Sequence, residues 1–181
     1  KASDYGIPQN RERVFFVGLS KKYFGNKFFE FPSSEEYKMV STEEALNDLP
    51  NLDKGDLPYL YKTEAKNEYQ KKMRENSKKI TNNDITKHED RTKKIISLVP
   101  DGGSIKDLPQ EYYNVRNYNS AFKRMNSKLP SSTIDCGHRN YFHYSENRIP
   151  TVREVARLQS FPDVFEFRGT SSVLKRSALS V

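Results

Sequence analysis

Tyr5-Gly6-Ile7-Pro8-Gln9-Asn10-Arg11-Glu12-Arg13-Val14-Phe15-Phe16-Val17-Gly18-Leu19 is the stretch on which the reading of this chain turns. Tyr5 to Pro8 reads as a turn, followed by a polar run that passes directly into six residues that are mostly β-branched or aromatic. A continuous run of that kind predicts a strand buried on both faces, and so a covered sheet. Very little of the chain before or after it is suited to supply that sheet. In an extended chain Gln9, Arg11 and Arg13 point to one face at about 6.5–7 Å spacing. That is near the separation of successive phosphates along a nucleic-acid strand, so two guanidiniums and a carboxamide there suit a backbone clamp. The same residues also suit a pair of surface arginines at a strand entrance.

The 181 residues allow one domain, or a small domain with a piece of another. With 34% apolar residues, no Trp and a mean hydropathy of −0.90, the core is modest and much of the chain is wet. The net charge of +7 is unevenly spread: residues 62–94 carry 11 basic and 6 acidic groups, whereas residues 1–61 carry 8 and 10. A basic stretch fits a polyanionic partner, and equally a solvated lysine-rich face. The single cysteine, Cys136, excludes an intrachain disulfide framework and a cysteine-rich metal site. No apolar run reaches the roughly 20 residues that span a bilayer, and no signal-peptide pattern opens the chain. We therefore expect no membrane partner and a cytoplasmic location. The first residue is Lys1, which raises the expectation of a piece cut from something longer.

Three helices are predicted with defined ends. Residues 42–49 follow a Ser41 or Thr42 cap and stop at Pro50. Residues 88–98 present Ile95, Ile96 and Val99 on one side and end at the Pro100-Asp101-Gly102-Gly103 turn. Thr151-Val152-Arg153-Glu154 is a capping box that opens a helix closed by Phe161-Pro162. Residues 63–79 are polar, and predict at best an exposed or partner-contacting helix. From Leu108 to Arg148, short segments rich in Tyr, Asn, Ser and Pro predict loops and short strands.

Tyr5 to Gly18 closely resembles the eighth shared motif of DNA (cytosine-5) methyltransferases. Arg148-Ile149-Pro150-Thr151-Val152-Arg153-Glu154-Val155-Ala156-Arg157-Leu158-Gln159-Ser160-Phe161-Pro162-Asp163 resembles the ninth. Between them, Lys123-Arg124 followed by Leu129-Pro130-Ser131-Ser132-Thr133-Ile134 is similar to the core of that family's target-recognition domain. The resemblance covers roughly residues 1–168. It implies an α+β fold: a target-recognition domain of short strands, loops and a few helices, flanked by remnants of a doubly wound α/β methyltransferase domain. The expected boundaries are 1–31 for the end of the catalytic domain, 32–147 for target recognition, and 148–181 for the ninth-motif helix with a truncated or diverged tail.

The family flips its target cytosine out of the duplex, adds a cysteine thiolate to C6 and takes the methyl group from S-adenosylmethionine. By resemblance, Arg13 contacts the flipped cytosine or its phosphate, Arg11 the DNA backbone, and Gln9 braces that end of the strand. Arg153 and Gln159 organise the recognition domain, or equally are helix-surface groups bonded to nearby carbonyls. DNA contacts are expected from Thr133, Ile134, His138, Arg139 and Asn140. Arg139 suits guanine and Asn140 adenine, although a polar hairpin whose aromatics merely pack is the competing reading. Lys71, Lys72 and Lys78 supply phosphate attraction.

The family's Pro-Cys nucleophile and glycine-rich cofactor loop are not found. Cys136 lies in the recognition region, and with His138 it makes only two of the ligands a metal needs, so no metal is expected. We expect duplex DNA as partner, S-adenosylmethionine in the complete enzyme, and neither cofactor nor activity in this chain alone. A separate DNA-binding subunit of a split methyltransferase, partnered by the missing N-terminal catalytic half, is the alternative, and an RNA-directed relative is a further one.

Overall fold

The computed structural model describes residues 1–115, 122–134 and 141–168. It is a mixed architecture of short helices and two small parallel sheets. Strand β1 (Gln9–Asn10) pairs with β3 (Ser131–Ser132), and β2 (Lys123–Arg124) pairs with β4 (Tyr141–Phe142). The helices are α1 (Lys21–Phe24), α2 (Thr42–Leu46), α3 (Glu68–Arg74), α4 (Asp90–Leu98) and α5 (Val152–Leu158).

Helix ends follow the capping chemistry in the sequence. Ser41 accepts from the Glu44 N–H while the Glu44 carboxylate takes the Ser41 N–H, which starts α2. Thr151 and Glu154 make the same reciprocal pair at α5. Helix α3 is shorter than the polar stretch suggested, because Asn67 caps its start and the chain adopts a left-handed conformation at Asn76 just beyond its end. Nor is it merely an exposed helix: Gln70 and Met73 are buried, and α3 packs on α2. The turn after α4 depends on Gly102, which has φ +70° and leaves no room for a Cβ against Asn126.

Among the described residues, two clusters form the core. Ala45, Leu46, Leu49, Ile80, Met125, Ile134, Val155 and Leu158 join α2, α5 and the strand region. Ile95, Ile96, Val99, Ile105, Leu108, Phe142 and Ile149 hold α4 against β4. Thr151 ties α5 to this frame twice, since its hydroxyl also donates to Asn83 Oδ1 at 2.7 Å in the interior. Thr151→Ala removes the cap and strands a buried acceptor, so we expect a loss of about 2 kcal/mol, read as a lower urea midpoint.

The main departure from expectation is the run Val14–Leu19. It forms no strand, and it is not buried: Val14 is 80% and Phe16 95% exposed. A strand buried on both faces needs neighbours on each edge and a layer on each side. The described residues provide only two-residue strands, and these are paired elsewhere. Tyr23, Phe24, Phe28, Phe29 and Phe31 extend the exposed apolar surface.

Candidate nucleic-acid interface

The parallel ladder β1–β3 brings together two segments about 120 residues apart in sequence, Pro8–Arg11 and Pro130–Ile134. Ser131 donates to the Pro8 carbonyl through both its backbone N–H and its hydroxyl, each at 3.0 Å. Thr133 donates its hydroxyl to the Asn10 carbonyl at 2.6 Å, and Asn10 Nδ2 reaches the Pro130 carbonyl at 3.4 Å.

This pairing sorts the first row of candidate residues. Gln9 turns inward, is 1% exposed, and its Nε2 has no hydrogen-bond partner among the described residues. It therefore does not share an outer face with the arginines, as an isolated extended strand would have it, because β1 ends at Asn10 and the Arg11 N–H turns back onto the Gln9 carbonyl at 3.0 Å, which breaks the alternation. Arg11 is half-buried, with Nη1 on the Ile134 carbonyl at 3.5 Å, and Arg13 is exposed and, among the described residues, bonded only to the neighbouring Glu12 carbonyl. Both guanidiniums thus keep donors for a ligand.

The other expected contacts divide similarly. The Ile134 side chain is 2% exposed and belongs to the core, so its expected place in the DNA surface is corrected: the cluster around α2 and α5 claims it. His138, Arg139 and Asn140, together with Cys136, lie outside the described residues. Lys72 and Lys78 are exposed, whereas Lys71 is held by Glu68 at 2.6 Å, which offsets part of its charge. Arg153 is not a helix-surface group. It is fully buried and donates to the carbonyls of Thr81, Pro162 and Phe165 and to the Thr81 hydroxyl. Gln159 is half-buried, with Nε2 buried and unpartnered among the described residues.

The largest electrostatic features are ones that the sequence did not single out. Arg157 is fully buried and donates to Asp48 Oδ1 at 2.6 Å, Asp163 Oδ2 at 2.6 Å, Asp163 Oδ1 at 2.9 Å and the Ala45 carbonyl at 3.1 Å. Tyr69 adds a hydroxyl bond to the Arg157 carbonyl, and Tyr61 one to Asp163 at 2.6 Å. Arg124 spends its guanidinium on the Ile96 and Val99 carbonyls at the end of α4 and on His143, Glu146 and Asn147. It thereby joins α4 to the turn after β4.

Arg148, Glu146, Glu154 and His143 form a second buried group. Arg148 forks onto both carboxylates, at 2.6 Å to Glu154 Oε1 and 3.0 Å to Glu146 Oε1. Burial alone pushes the Glu154 carboxyl up, but Arg148 and His143 outweigh it and hold it down at about 2. Burial raises Glu146, which Arg148 only partly offsets.

One ligand atom from each of His143, Glu146 and Glu154 lies within 4.8 Å of the others, a spacing that a metal site also has. The hydrogen bonds point instead to an ion-pair cluster. His143 Nδ1 accepts the N–H groups of Ser145 at 3.2 Å and Glu146 at 3.0 Å, so the proton sits on Nε2. Nε2 faces the two carboxylates, at 3.6 and 3.9 Å, and with its proton it has no lone pair for a cation. Arg148 already bridges both carboxylates, its single charge balancing one of the two.

The sequence matches the C-5 cytosine-specific DNA methylase family over residues 1–178. It is 31% identical over 188 residues to Type II methyltransferase M.DdeI of Desulfomicrobium norvegicum, covering 96% of this chain and 45% of that protein. It is 34% identical over 168 residues to Type II methyltransferase M1.HphI of Haemophilus parahaemolyticus, covering 93% of this chain and 39% of that one. The chain thus spans less than half the length of these relatives. A crystal structure of an E. coli prophage-encoded protein, described as a DNA modification methyltransferase, shares the fold with a TM-score of 0.68 at 23% identity, over all of this chain and 54% of that one. On these grounds the chain belongs to the C-5 cytosine-specific DNA methylase family.

Proposed function

We propose that this chain is the DNA-recognition part of an S-adenosylmethionine-dependent DNA (cytosine-5) methyltransferase of a bacterial, cytoplasmic restriction–modification system. Residues 32–147 recognise the target, residues 1–31 close the catalytic domain, and residues from 148 onward carry the ninth-motif helix. The observation that carries the reading is the β1–β3 ladder, which sets the Arg11 and Arg13 segment beside Ser131–Ile134. Duplex DNA is the partner. Arg11 and Arg13 hold the backbone and the extruded cytosine, with Thr133 beside them, and Lys71, Lys72 and Lys78 add salt-sensitive attraction.

S-adenosylmethionine belongs to the complete enzyme. The double-glycine turn of this chain, Gly102–Gly103, is closed in by Asn126 and Pro100. No step of methyl transfer is therefore assigned to this chain. The exposed apolar run from Val14 to Phe31 favours an N-terminal catalytic half as its cover. That half is supplied either by the same polypeptide or, as a second reading, by a separate subunit.

Selection from a random duplex pool at low and moderate salt tests the recognition reading. We expect enrichment of a short cytosine-containing site that survives moderate salt. Uniform retention that vanishes as salt rises reduces the chain to a basic surface without readout.

A further inference from the structure

The contacts between β1 and β3 have a regularity that the pairing alone does not require. Side-chain hydroxyls at alternate positions, Ser131 and Thr133, meet carbonyls at alternate positions, Pro8 and Asn10. The Pro8 carbonyl receives two bonds from Ser131 alone, and the Arg11 carbonyl accepts from the Ala2 N–H at 2.9 Å on the other side. The backbone that carries Arg11 and leads to Arg13 is thereby fastened on both sides. Ser131 is 1% exposed, so it cannot itself reach a duplex.

We infer that Ser131 is a positioning residue for the arginine pair: its hydroxyl, with that of Thr133, sets the register in which Arg11 and Arg13 are presented to DNA phosphates. The inference rests on the proposed role of those arginines. Through this fastening the 130–134 segment orders the arginine segment before DNA arrives. A hydroxyl at 131 matters because backbone pairing between two-residue strands leaves the ladder free to slip by a residue, which would shift the start of the segment that carries the arginines.

The test measures affinity of the full 181-residue chain for a short mixed-sequence duplex across a salt series, alongside thermal melting. Ser131→Ala is expected to weaken binding about threefold to tenfold, the range of one hydrogen bond. It should also flatten the slope of log affinity against log salt, by up to about 0.9 for each phosphate that the arginines no longer reach. In an Arg11→Ala/Arg13→Ala background the same change is expected to have no further effect on binding. Thr133→Val should behave like Ser131→Ala, and Thr133→Ser should restore the parent slope.

A Ser131→Ala chain with parent affinity and slope overturns the inference. So does an equal loss with and without the arginines, since that marks a structural effect of the kind that lowers melting alone. A variant that fails to fold shifts the decision to the Thr133 pair, whose Val form must lose the slope and whose Ser form must regain it. If Arg11→Ala/Arg13→Ala leaves the parent's binding unchanged, the proposed role of the arginines fails, and this inference with it. If that double change weakens binding but the hydroxyl variants do not, only the positioning role fails.

Discussion

Arg157→Met is expected to remove about 3–5 kcal/mol of stability, because it strands two buried carboxylates rather than one. Asp48 and Asp163 are both 1% exposed, and each takes a 2.6 Å bond from this guanidinium. Arg74 reaches Asp48 only at 3.4 Å, and Asp163 keeps the Tyr61 hydroxyl and a distant Arg153 Nη1 at 3.9 Å. A loss of that size rivals the roughly 5–15 kcal/mol that holds a whole domain together. The expected result is a chain that is largely insoluble, or whose urea midpoint falls by about 2 M for a typical slope. Adding Asp48→Asn and Asp163→Asn removes the orphaned charges and is expected to recover part of the loss. A single variant within about 1 kcal/mol of the parent would contradict this network.

The second large effect is a loss of stability in mild acid, traced to His143. Burial holds this imidazole down at about 4, and protonation would also break the two N–H bonds received by Nδ1. Between its ordinary value of 6.5 and about 4, the unfolded chain binds a proton that the folded chain refuses. Stability therefore falls as pH drops through that window, by on the order of 3 kcal/mol. Glu154, held at about 2, prolongs the decline below 4.5, because the unfolded carboxyl is protonated first. Glu146 works in the opposite direction, since its raised carboxyl takes up a proton in the folded state before the unfolded one does.

Urea midpoints measured at intervals from about pH 7 to 4.5 report the slope. His143→Asn keeps an acceptor near the Nδ1 position but cannot titrate in this range. It is expected to flatten the decline above about pH 4.5 while lowering stability at neutral pH only modestly. An undiminished slope in that variant would place the acid sensitivity elsewhere.

Local chemistry was legible in the sequence wherever a few adjacent residues decide the outcome. The capping box Thr151/Glu154 marks the start of α5, and a cap at Ser41 or Thr42 that of α2, where the structure selects Ser41 with Glu44, because capping joins groups three residues apart. The turn at Gly102 was legible for the same reason, as was the resemblance carried by residues 5–18 and 148–163, where residue order alone is the signal. The apolar character of Val14–Leu19 was equally plain, yet its state was not. A strand exists only with neighbours, and the described residues offer it none.

Tertiary structure alone decided which charges lie inside. Arg153 and Arg157 sit four residues apart on a short helix, and nothing in their local sequence shows that Asp48, 109 residues earlier, completes the Arg157 site. Gln9 and Arg11 flank Asn10 and would share a face in an extended strand, but β1 ends at Asn10 and the Arg11 N–H turns back onto the Gln9 carbonyl, so the glutamine is buried and the arginine stays partly at the surface. Burying a charge is tolerated only where partners converge on it from several segments, and that convergence is a property of the folded chain that no local pattern encodes.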